Sequence, residues 1–134
     1  MKKVGTNIGP KEFAAFKVEC KRWQVLFGLQ DWRLCYSFEH VEDGLAGINC
    51  DFEGRIASVF LNPFQERCTK REVDVRRSAR HEMLHLLLAE LQYLNGRRLV
   101  SDNTWQAAEH GVIRRLESFL NASADGTTNA KEKA

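Results

Sequence analysis

The segment "SARHEMLHLLLAEL", residues 78–91, decides how the rest of the chain is read. Its apolar residues suit a buried helix, yet it carries His81, Glu82 and His85. A polar group buried without a partner costs a few kcal/mol, so these three are either satisfied in the core or put to use. Four residues apart on a helix, the two histidines leave the same face about one turn from each other. That spacing offers two nitrogen ligands to one metal ion. Glu82 lies about 100° further round, close enough to reach a metal-bound water without being a ligand itself. Chance produces HExxH in roughly 1% of chains of this size and composition. The plainer alternative is a pair of satisfied core histidines.

Outward from this helix, the periodicity predicts an α+β domain. Residues 7–29 read as a first helix, with Pro10 in its opening turn, Phe13, Phe16, Cys20, Trp23 and Phe27 at helical spacing, and Gly28 as its stop. "DWRLCYSFEH" alternates as a half-buried strand, and residues 47–63 read as a hairpin turning near Glu53-Gly54. The helical period returns from about Arg71 to Leu94, with Asn95-Gly96 as its end, and a last helix runs from Asn103 to about Asn121, capped by Ser101 or Asp102. The expected architecture is an N-terminal helix, a small antiparallel three-stranded sheet, the HExxH helix and a following helix. Residues 1–121 form the single domain, and 122–134 a disordered polar tail.

Hydrolytic zinc needs a third protein ligand and one open position. A histidine six residues after His85 is excluded, because position 91 is Leu91, and the next histidine is His110. "TWQAAEHGVIRRLESFL" offers Glu109 instead. Trp105, Glu109, Val112, Leu116 and Leu120 share one helical stripe, so Glu109 interrupts an apolar face, and a carboxylate there calls for a cation. His110 falls on a more mixed face with Gln106, Ile113 and Glu117. Glu109 is therefore favoured over His110, with a salt bridge to Arg80 or Arg114 as its structural alternative.

With "HEMLH" at 81–85 and Glu109 in "AAEHGVIRRLE", the chain resembles the gluzincins, zinc metallopeptidases with HExxH on one helix and a glutamate ligand on the next. Its size and its strands before the motif look most like the minigluzincins and the compact HExxH proteins of phages and prophages. The resemblance covers roughly residues 30–120. It implies a zincin-like fold and one Zn²⁺ per chain, held by His81, His85 and Glu109. It also implies Glu82 as general base, and a sheet edge from the 46–61 hairpin that binds an extended peptide through its main chain. Gly44 and Gly47 would let that backbone come close. His110 and Tyr93 are the candidates for stabilising the transition state. The activity implied is peptide-bond hydrolysis; the alternative is a non-catalytic, zinc-stabilised domain that binds a peptide or nucleic acid.

Composition agrees with a soluble protein: 134 residues, 43% hydrophobic, 28% charged, formal net charge +2. That charge is too small to call for a nucleic-acid or membrane partner by itself. Lys70, Arg71, Arg76, Arg77, Arg80 and Arg97-Arg98 form a basic set that reads first as a solvated face and second as an approach for nucleic acid or acidic peptides. No apolar run approaches the roughly 20 residues of a membrane span, and the opening "MKKVGTNIGP" lacks the apolar stretch of a secretory signal. The four cysteines, at 20, 35, 50 and 68, contain no CxxC pair and are expected to be reduced, in a cytoplasmic protein.

Overall fold

A computed structural model describes residues 4–41, 44–97 and 99–133, with side chains described as far as Ala122. The elements are β1 (Gly5–Asn7), α1 (Pro10–Leu26), β2 (Arg33–Phe38), β3 (Ala46–Asp51), β4 (Ile56–Leu61), β5 (Phe64–Glu66), α2 (Val75–Leu87), α3 (Ala89–Asn95) and α4 (Asp102–Lys133). The class is mixed α+β, with four helices and two small sheets among the described residues.

Helix α1, expected over residues 7–29, begins at Pro10, because Asn7 pairs in β1. Pro10 takes its first turn, and the Glu12 carboxylate accepts a hydrogen bond from Gly9 N at 3.0 Å. It ends at Gly28, whose φ of +67° is the left-handed conformation that glycine adopts most freely. The buried Gln24 amide then donates to Leu29 O at 3.0 Å and Trp32 O at 2.8 Å, fixing the turn into β2.

The three-stranded sheet is not the antiparallel one expected. Its order is β2-β4-β3; β2 pairs parallel with β4, and β3 pairs antiparallel with β4. Strand β4 carries the most deeply buried set, Ala57, Val59 and Leu61, each 0% exposed, so it takes the centre with a neighbour on each side. The chain leaving β2 crosses to the far edge before β3 begins. Asn62 and Gln65 hold the end of that crossing, donating to Val41 O at 2.7 Å and Leu45 O at 3.0 Å. Strand β3, with exposed Asn49, Cys50 and Asp51, is left at the edge. A second sheet, unforeseen from the sequence, pairs β1 with β5; each is a three-residue strand, too short for periodicity to register.

Helices α1 and α2 pack together, and α2 also packs on β3. Phe16, Cys20, Met83, Leu86 and the inward residues of β4 form the core, in which a large apolar side chain contributes about 1.5–3 kcal/mol by burial. The single helix expected from Arg71 to Leu94 is two. Asp74 caps α2, its carboxylate accepting from Arg77 N at 3.0 Å, and the helix breaks at Leu88. There Leu88 N is shared between Leu84 O and His85 O, both at 3.2 Å, a tightened turn that redirects the chain into α3. Ser101 caps the last helix, accepting from Thr104 N at 3.2 Å. Helix α4 packs on α3 and, through Phe119, on Trp23 of α1 and on Phe27 just past its end. Its backbone continues to Lys133. Among the described residues, no helix is long and apolar enough to cross a membrane.

Candidate functional site

Helix α2 turns Val75, Ala79, Met83 and Leu86 to the core, which leaves its HExxH residues on the flank that faces β3. The expectation of buried histidines inverts here. His81 and His85 are exposed, whereas Glu82 is 6% exposed. The two rings meet edge to face, interplanar angle 79°, with their Nε2 atoms 3.2 Å apart.

A cleft of about 820 Å³ opens along β3, α2 and α3. Ala46 to Cys50 and Phe52 line one wall; His81, Glu82, His85, Leu88, Ala89, Gln92 and Tyr93 line the other. Edge strand β3 thus lies along the histidine face, with one side of its backbone unpaired within the sheet. Gly47 serves a local purpose: a Cβ there would run into the Phe60 ring on the neighbouring strand. Gly44, at φ +91°, supplies the left-handed turn into β3.

Among the described residues, no hydrogen bond or ion pair reaches the Glu82 carboxylate, and no buried side-chain polar atom lacks a partner, so its oxygens keep contact with the cleft. Burial raises the Glu82 carboxyl above its ordinary range, and the neighbouring His81 and His85 partly oppose the shift. Burial, followed by the Glu82 charge, raises the Cys50 thiol as well. Tyr93 also belongs to this cleft. Its hydroxyl donates to Glu53 Oε1 at 2.6 Å, and that hydrogen bond is the main reason its proton is held more tightly than usual.

Two expected residues are not brought in. Glu109 is exposed, and among the described side chains of α4 the buried ones are Ala108 and Val112, with Trp105, Leu116 and Phe119 half-buried. That stripe follows a different phase from the one through Glu109 and Leu120. Phe119, seated against Trp23 and Phe27, takes the inward position, and Leu120 is 61% exposed. His110 lies instead in a shallow groove on α4 with Asn103, Gln106, Ile113 and Arg114. Among the described residues, no group of three His, Cys, Asp or Glu side chains is arranged to hold a metal ion. The basic residues Lys70, Arg71, Arg76, Arg77 and Arg80 are exposed, as a solvated face requires; Arg98 lies outside the described residues.

The donor chemistry fits zinc at two positions. With Zn–N bonds of about 2.0–2.1 Å and a tetrahedral angle, two ligand nitrogens stand about 3.3 Å apart. The observed 3.2 Å needs little adjustment. The third position is not filled by the arrangement of α4. Sequence reasoning also missed Cys50, Phe52, Leu88 and Gln92 as lining residues; their place depends on strand order and on the break at Leu88, neither of which leaves a mark in the local pattern.

Compared with known proteins, the chain matches no protein-family model, no curated protein and no solved structure.

Proposed function

We propose that this chain is a small zinc-dependent peptide hydrolase, a gluzincin-type metallopeptidase of zincin-like arrangement. The observation that carries the reading is the convergence of the His81 and His85 Nε2 atoms, 3.2 Å apart, beside a buried and unpartnered Glu82 in a cleft along an edge strand. His81 and His85 would hold the metal, with Glu109 as the proposed third ligand; that role requires α4 to move, because it lends no described residue to the cleft. Bound zinc would bring the pKa of a water toward neutrality and polarise the scissile carbonyl.

The chain's own residues supply the rest. Glu82 would take a proton from water in the cleft and deliver it to the leaving amine, and its raised proton affinity suits both transfers. The free side of β3 aligns an extended peptide by main-chain hydrogen bonds. Tyr93 keeps its proton and lies in the cleft, so it can donate to a developing oxyanion once released from Glu53. His110, on another face, has no such access.

A second reading, a zinc-stabilised binding domain without turnover, is favoured by the unfilled third position. Elemental analysis together with cleavage of a peptide library separates the two. Bound zinc with cleavage that Glu82→Gln abolishes supports the hydrolase; bound zinc without cleavage supports the binding domain.

A further inference from the structure

The cleft is open at one end and closed at the other. At the closed end its two walls touch: Phe52, just past β3, stacks on Tyr93 of α3 with centroids 4.7 Å apart. Glu53 fastens the contact, accepting from the Tyr93 hydroxyl at 2.6 Å and from the Arg97 guanidinium at 3.0 Å. Arg97 in turn lies 4.3 Å from the centre of the Tyr93 ring. The Glu53 and Arg97 side chains are 70% and 53% exposed, so the bridge stands at the rim of the cleft and not on its floor. At the opposite end a second hollow of about 480 Å³ shares Ala46, His81 and Glu82 with the first and continues past Gly44, Cys68 and Arg77. The groove therefore enters there, passes His81 and Glu82, and stops at the Phe52–Tyr93 bridge.

The bridge limits length. From Ala46 to Phe52 the wall spans six residue steps, about 20 Å at roughly 3.3 Å per residue, and a strand added to β3 has the same rise. A substrate can place no more than about six residues between the Ala46 level and the bridge. On the reading that this cleft hydrolyses peptides, we propose that it selects chain ends: its substrate is a peptide or protein terminus that stops short of Phe52 and Tyr93. A continuous chain would have to displace the ring stack and both Glu53 hydrogen bonds to pass.

Binding of fluorescent peptide pools to Glu82→Gln in zinc-containing buffer tests this without depending on turnover. The pools are random peptides of roughly six residues, either free at both ends or extended by roughly ten residues of glycine-serine linker at the N-terminus, the C-terminus or both. Extension at one end should weaken binding by about tenfold or more, and extension at the other by less than about twofold. Adding Glu53→Ala, an exposed change that removes the fastening, should cut the penalty to below about threefold. Equal binding of the doubly extended pool overturns the proposal and leaves hydrolysis standing. A penalty unchanged by Glu53→Ala overturns the role of the bridge. If no pool binds and the wild type cleaves none, the hydrolase reading falls together with it.

Discussion

The Nε2 atoms of His81 and His85 stand 3.2 Å apart across one turn of α2, both rings exposed to the cleft beside β3. A hydrogen bond between the two rings accounts for that distance. On the proposed reading, a zinc ion would take both nitrogens at nearly the same separation.

Zinc should therefore bind and stabilise the fold. At a free concentration of about 100 times Kd, binding contributes about 2.7 kcal/mol, which raises Tm by several degrees for a domain of this size. His81→Ala and His85→Ala should each remove most of that rise and lower affinity severalfold or more. Thermal melts with and without zinc, together with elemental analysis, check the expectation. A Tm that zinc leaves unmoved in the wild type would count against the metal site.

Glu82→Gln separates chemistry from architecture. Gln keeps the shape but cannot take a proton, so peptide hydrolysis should fall by about 10²-fold or more while zinc remains bound. Stability should hold or rise, because burial already penalises the carboxylate and a neutral amide escapes that penalty. Cleavage rates, zinc content and urea midpoints give the three readouts. Unchanged cleavage would remove Glu82 from the mechanism.

Much of this was legible locally. Pro10, Gly28 and the i, i+4 histidines depend on neighbours a few residues away, and each appears where its spacing placed it. Long-range features did not announce themselves. The parallel pairing of β2 with β4 rests on a crossing held by Asn62 and Gln65, side chains that look like ordinary turn residues in sequence. The phase of α4 turns on whether Phe119 or Leu120 faces inward, and the aromatic seat offered by Trp23 and Phe27 exists only after α1 has packed. Glu109 was placed on the buried stripe by a pattern that fitted Leu120 as well as Phe119 fits the fold.

Alkaline pH should weaken the fold. Cys20 is 0% exposed, and burial, reinforced by the charges of Glu82 and Glu19, pushes its thiol from 9.0 up to about 12. The folded chain thus keeps a proton that the unfolded chain releases above pH 9. Stability is full below pH 9 and declines as pH rises from there toward 12, by at most about 1.4 kcal/mol per pH unit for this group. Tyr36, raised from 10.0 to about 12 chiefly by burial, adds to the decline above pH 10. Urea midpoints between about pH 8 and 10.5 measure the slope. Cys20→Ala should be less stable at neutral pH, having lost a packed side chain, yet show a shallower alkaline slope. Parallel slopes would mean that Cys20 is not the group responsible.

The third ligand gives the sharpest test, because the structure and the proposed chemistry place different demands on α4. Glu109 is exposed, next to the buried Ala108 on a helix whose inward stripe runs through Val112 and Phe119. If zinc recruits Glu109, α4 must move, because it lends no described residue to the cleft. Glu109→Ala should then lower zinc affinity by about 10²-fold, and zinc should change the surroundings of Trp105 in the wild type but not in the variant. His110→Ala should leave zinc in place. Chelator competition gives the affinities, and tryptophan fluorescence reports the movement against Trp105→Phe as control. If Glu109→Ala binds zinc as tightly as the wild type, the histidine pair holds metal without that carboxylate, and the binding-domain reading takes precedence. Loss of metal in His110→Ala alone would make the site a three-histidine one.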